Sequence, residues 1–204
     1  MRDIEGRHDR VVVKGLLGRV AWSPDGSRLA FARKSIWTVD LKSGRQQEIS
    51  RTPDFATDLS WAPGGQWLVV GTLLEGIWIV RADGKSHGRL VKGSFDTGPS
   101  WSPDGRWIAY THSDSPGFKP RSIFLTHPGG TGLRRLTNGF NDQFPSWAPD
   151  GKAIVFERRA IQRRGEAAAA RRWSIYIVDL ATTKVKHVRT PHGVGRVPAW
   201  RPNA

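Results

Sequence analysis

Trp101-Ser-Pro-Asp-Gly105 decides the fold, because the same short turn recurs as Trp22-Ser-Pro-Asp-Gly26, Trp61-Ala-Pro-Gly-Gly65 and Trp147-Ala-Pro-Asp-Gly151, and in degenerate form as Trp200-Arg-Pro-Asn-Ala204. Proline presets φ for the second position of a type I turn, and aspartate is comfortable next. Glycine then takes the left-handed conformation that folds the chain back as a hairpin with a bulge. Each copy is therefore a hairpin tip. The five tryptophans are separated by 39, 40, 46 and 53 residues. Self-similarity at about 40 to 45 residues is the signature of four-stranded propeller blades.

Working outward from the turn, every unit continues with an apolar run: Arg28 to Ala32, Trp67 to Gly71, Trp107 to Thr111 and Ala153 to Glu157. A third run aligns as Ser35-Ile-Trp-Thr-Val39, Gly76-Ile-Trp-Ile-Val80, Ser122-Ile-Phe-Leu-Thr126 and Ser174-Ile-Tyr-Ile-Val178. Its aromatic column, Trp37, Trp78, Phe124 and Tyr176, is expected to fill equivalent sites between blades. Past a polar or glycine-containing turn comes a shorter, more polar fourth run such as Leu133-Arg-Arg-Leu-Thr137. No segment keeps a helical period over a useful length, so each unit reads as four short strands.

The pattern Pro-x-Trp-Ser-Pro-Asp-Gly, an apolar strand, Ile-aromatic-x-Val-Asp and then Leu-Thr resembles the WD-like repeat of the TolB-type β-propellers. The same repeat occurs in propeller domains attached to prolyl-oligopeptidase-like hydrolases. The resemblance covers about residues 10 to 204 and implies radially arranged antiparallel sheets with the Trp-bearing strand innermost. It implies no single activity, since this fold hosts many functions. The expected fold is thus all-β: a propeller of four WD-like four-stranded blades plus a split fifth-blade remnant at the termini. The blades fall at about 19–57, 58–97, 98–143 and 144–196. Residues 1–18 would be an N-terminal strand and 197–204 the start of a further blade. Trp22, Trp61, Trp101, Trp147 and Trp200, with Pro24, Pro63, Pro103 and Pro149, are the structural residues of the repeat.

The 204 residues suffice for four blades sharing cores between neighbours, and ten tryptophans give those cores bulk. Without cysteine there are no disulfides, thiolate metal sites or thiol nucleophiles. The charged amino terminus lacks the apolar stretch of a secretory leader, and no run approaches the ~18 apolar residues of a membrane span. The chain as written reads as cytoplasmic, or periplasmic if a leader precedes it as in the TolB family. Lysine and arginine total 32 against 18 acids, a net charge of +14. Such a field favours polyanionic partners, so a basic module binding nucleic acid or another anionic ligand is an alternative function.

Loop lengths are where the units differ. The second-to-third connection is Lys34-Ser35 in the first unit, Thr72 to Glu75 in the second, His112 to Arg121 in the third and Arg158 to Trp173 in the fourth. These loops share a face with the blade-to-blade crossovers, and insertions of repeat arrays map to the binding side. The longest insertion, Glu157 to Arg172, carries six arginines and two glutamates; its Arg163, Arg164, Arg171 and Arg172 are candidates for gripping an acidic protein or phosphate. The crossovers supply Asp58, Asp96 and Asp142, expected near the top of the central channel beside Thr57, Thr97, Gln143 and Arg196. They would hold a cation or a basic peptide end, or tie one blade to the next. Asp25, Asp104 and Asp150 belong to the turns.

Catalysis finds no support: there is no Gly-x-Ser-x-Gly elbow, no His-Glu-x-x-His and no glycine-rich phosphate loop, and the six histidines show no ligand spacing. No cofactor or metal is expected. The reading is a noncatalytic scaffold for protein–protein interaction through its variable loop face; a further alternative is the noncatalytic propeller part of a prolyl-oligopeptidase-like peptidase. Because the chain starts with the end of one blade and stops at the first turn of another, the ring is expected to be incomplete. A homodimer or a continuation in a longer protein would then cover its open edges.

Overall fold

A computed structural model of the chain describes residues 13, 19–51, 56–114, 121–138, 141–159 and 173–189. The described residues are all-β, with no helix, and form four four-stranded sheets. The first is β1 (Val20–Trp22), β2 (Arg28–Ala32), β3 (Ile36–Asp40) and β4 (Gln46–Ser50). The second is β5 (Ala56–Trp61), β6 (Trp67–Thr72), β7 (Ile77–Arg81) and β8 (His87–Val91). The third is β9 (Thr97–Trp101), β10 (Ile108–His112), β11 (Ser122–Thr126) and β12 (Arg134–Arg135). The fourth is β13 (Asp142–Trp147), β14 (Ala153–Arg159), β15 (Trp173–Asp179) and β16 (Val185–Val188). Strands follow one another in sequence order and pair antiparallel, as propeller blades do. The Trp-bearing first strands β1, β5, β9 and β13 neighbour one another around the axis. Trp200, Arg196, Arg163, Arg164, Arg171 and Arg172, and the terminal segments 1–18 (Val13 apart) and 197–204, lie outside the described residues.

The turns form for the reason their residues give. Gly26, Gly65, Gly105 and Gly151 all have φ near +70°. Asp25 accepts from the Ser23 hydroxyl at 2.5 Å and the Ser27 amide at 3.0 Å, and chiefly the first of these holds its carboxyl down at about 2. Asp104 repeats the arrangement with Ser102 and Arg106, and Asp150 accepts from the Lys152 amide.

The core lies between blades. One apolar cluster joins Ala30, Ala32 and Ile36 of the first sheet to Trp61, Leu68 and Val80 of the second. A second joins Val69 and Ile77 to Trp101 and Ile108, and a third joins Ile123 and Leu125 to Trp147, Ile154 and Phe156. Trp61, Trp101 and Trp147 therefore each pack on the preceding blade. Trp61 Nε1 donates to Ala21 O at 3.1 Å and Trp147 Nε1 to Ser100 O at 3.0 Å.

The third-strand aromatics are in equivalent register, Trp37 opposite Phe31, Trp78 opposite Val70, Phe124 opposite Tyr110 and Tyr176 opposite Phe156. They are half-buried rather than enclosed. The third strand lies near the outer rim: Trp78, Phe124 and Tyr176 pack on the apolar clusters, while Trp78 also lies beside Arg89 and Tyr176 beside His187 of the fourth strand. Their truncation should therefore cost less than that of a fully buried aromatic.

The β6–β7 connection is fixed by its backbone. Thr72 Oγ1 donates to Gly76 O at 3.0 Å and accepts from the Glu75 amide at 2.9 Å. Gly76 has φ +86°, and a Cβ there would collide with the Val91 carbonyl. Gly76→Ala should destabilise the chain by about 2 to 3 kcal/mol, from the left-handed backbone and the collision together. A denaturant midpoint equal to that of the parent would contradict this account of the hairpin.

Candidate interaction face

Residues three places before each repeat tryptophan, Arg19, Asp58, Gly98 and Phe144, converge where the crossovers enter the channel. Arg19 Nε lies 3.2 Å from Asp58 Oδ1, and Asp58 Oδ2 accepts from the Gly98 amide at 3.3 Å. Gly98, at φ +59°, sits against the Phe144 ring, and a Cβ there would come within 3.0 Å of it. The Arg19 guanidinium in turn lies over the Phe144 ring, 4.2 Å from its centroid. The circuit is closed through all four blades. It floors a recess of about 230 Å³ lined also by Ser60, Ser100 and Ser146.

β-bulges make this convergence. The pairing of β5 with β6 slips between Ala56 and Asp58, and that of β13 with β14 between Gln143 and Ser146. A bulge re-aims side chains that strict alternation would send elsewhere. One consequence is that the three crossover aspartates do not form one ring. Asp58 stands three residues before its tryptophan and faces the channel, whereas Asp96 and Asp142 stand five before theirs and face the end of their own blade's second strand.

Asp142 is fully buried and gripped by Arg158, with Nε on Oδ1 at 2.6 Å and a terminal nitrogen on Oδ2 at 3.0 Å. Gln143, also buried, accepts from Arg121 at 2.7 Å and donates to Asn141 at 2.9 Å. Thr57 Oγ1 donates to Gly71 O, and Thr97 is buried at the start of β9. Glu157, Arg158 and Arg159, counted above with the long insertion, belong to β14.

Asp96 is fully buried and pairs through Oδ1 with His112 Nδ1 at 2.7 Å, while His112 Nε2 reaches exposed Asp114 at 3.0 Å. Sequence reasoning passed over His112 as one scattered histidine. The usable signal was register: Thr97 pairs with Thr111, so Asp96 faces His112 as Asp142 faces Arg158. The Asp96 hydrogen bond raises the His112 pKa above the ordinary histidine value. A raised folded pKa contributes stability that is fully present below about pH 6.5 and is lost as pH rises through the higher folded value. The stability gap between parent and His112→Gln should therefore be widest in acid and shrink toward pH 9; a gap constant across denaturation curves from pH 5 to 9 would rule this linkage out.

Repeated four-stranded blades around a channel, with bulged crossovers on one face, define a β-propeller. The chain belongs to the TolB β-propeller family: the TolB beta propeller domain matches residues 1–168. No curated protein matches the sequence. Among solved structures, the chain is similar to TolB from Acinetobacter baumannii (TM-score 0.74, 23% identity, 98% of this chain and 50% of that one). It is also similar to Kuenenia stuttgartiensis hydrazine synthase (TM-score 0.65, 21% identity, 91% and 52%). A third likeness is to oligogalacturonate lyase from Vibrio parahaemolyticus (TM-score 0.66, 13% identity, 91% and 58%). At these identities the likeness is one of fold, and the chain spans about half the length of these three proteins.

Proposed function

We propose that the chain is a noncatalytic propeller scaffold that binds a protein partner through its crossover face. The observation that carries the reading is the channel-mouth circuit. It leaves a polar recess with Arg19 still 41% exposed, so a partner's carboxylate, from an acidic side chain or a chain end, can pair with a guanidinium already aligned by Asp58 and Phe144. The β6–β7 hairpin, bonded to the crossover at Phe95, holds Leu73 and Leu74 out to solvent, 41% and 57% exposed. The hairpin backbone around them is already bonded, Leu73 O accepting from Phe95 N at 2.9 Å and Thr72 Oγ1 from the Glu75 amide, so docking would order little new chain. Likeness to TolB on one side and to a lyase on the other fits a fold whose function lies in grafted loops.

Site-specific photocrosslinking tests this. A crosslinker at Leu74 should yield discrete protein adducts that persist after nuclease treatment, and one at Arg106 on the turn face should not. Equal adducts at both positions, or none at Leu74, would overturn the assignment of this face.

A further inference from the structure

The outermost strands of three successive blades carry basic side chains and no acidic ones. β8 and its exit hold Arg89 and Lys92, β12 holds Arg134 and Arg135, and β16 with its flanks holds Lys184, Lys186 and Arg189. All of these are exposed. Arg135 is bound to Thr137 O and the Ser122 hydroxyl, but the other six form no ion pair among the described residues. Asp83 and Asp179, in the turns that lead into β8 and β16, are held there, Asp83 by the Lys85 amide and Arg81 and Asp179 by Thr182.

Protecting a sheet edge from aggregation needs charge, but charge of either sign serves. The first blade shows this: its fourth strand carries Glu48, which pairs with Arg51 at 3.5 Å. A one-signed rim on the next three blades is a surplus that edge protection does not explain. Aromatic rings are interleaved with it. Trp78 lies half-buried under Arg89, Trp107 under Arg134, and Tyr176 beside His187 at 5.0 Å.

We infer that this rim binds single-stranded nucleic acid. Cations aligned beside half-exposed rings are what a flexible polyanion with stacking bases requires. Because blades radiate, the three basic edges face outward in different directions. A flat bilayer or a stiff duplex meets them one at a time, whereas a single strand can follow the convex rim. The inference is independent of the crossover-face reading, which uses other residues.

The test is fluorescence anisotropy of the whole chain with a labelled oligouridine and oligothymidine over a series of salt concentrations. Affinity should fall with salt, with a slope of about 0.7 per phosphate neutralised. The variant R89E/R134E/K186E, shown folded by its tryptophan emission, should bind at least about tenfold more weakly and with a shallower slope. As a charge-matched control, K34E/K42E/K152E, which reverses three exposed charges away from these strands, should lose much less. Three results would overturn the inference: no binding at low salt, equal losses in the two variants, or a sulfated polysaccharide or anionic vesicles competing as well as the oligonucleotides do.

Discussion

Trp61→Ala and Trp147→Ala should each cost about 3 to 5 kcal/mol, whereas Trp22→Ala, the same substitution at the same place in the repeat, should cost about 1 kcal/mol or less. Trp61, Trp101 and Trp147 are 6%, 9% and 7% exposed, but Trp22 is 50% exposed. The reason is positional. Each buried tryptophan lies on the blade before it, and among the described residues no apolar cluster joins the fourth sheet to the first. The leading face of the first blade, with Val20 also 45% exposed, is open among the described residues. Trp101 should fall between these extremes, because its buried Nε1 has no hydrogen-bond partner among the described residues. Trp101→Phe should accordingly be milder than Trp61→Phe, which gives up the bond to Ala21. Denaturant midpoints for the set decide the matter, and equal losses at Trp22 and Trp61 would mean that the first blade's leading face is covered.

What the sequence made legible is what depends on local chemistry. Proline, aspartate and glycine in the turn fix a hairpin wherever they occur, so sheet count and strand order follow from the repeat, while the innermost strand came from the resemblance to the TolB-type propellers. The site was legible only by position along the chain. Asp58, Asp96 and Asp142 all lie in crossovers that open on a phenylalanine, and only the strand register separates the channel-facing residue from the two that face a second strand. Bulges that shift register leave no residue signature beyond a local excess of length. The channel circuit was hidden for a further reason: its members are an arginine, an aspartate, a glycine and a phenylalanine, four chemistries at one structural position. Half-burial of Trp37, Trp78, Phe124 and Tyr176 was equally illegible, since the repeat reveals equivalence but not distance from the axis.

Breaking the Asp142–Arg158 pair should be the largest single loss on the crossover face. Asp142 has no exposed surface, and Arg158, lying 4.6 Å from the centre of the Tyr176 ring, is the donor to both of its oxygens. Removing one partner strands a charge in a medium that solvates it poorly, which typically costs about 3 to 5 kcal/mol. Removing both takes away the charge and its counter-charge together, so an apolar pair of similar volume comes closer to neutral. Asp142→Leu and Arg158→Met should therefore each lower the unfolding midpoint sharply, and the double variant should lie nearer the parent than either single. The comparison also separates two meanings of a buried carboxylate at this face. A residue kept for a cation would lose ligand binding in Asp142→Leu without recovery in the double variant, while a tie at the root of the long insertion recovers. Additive losses in the double-mutant cycle would show that the two side chains are not coupled, and the geometry would then need another explanation.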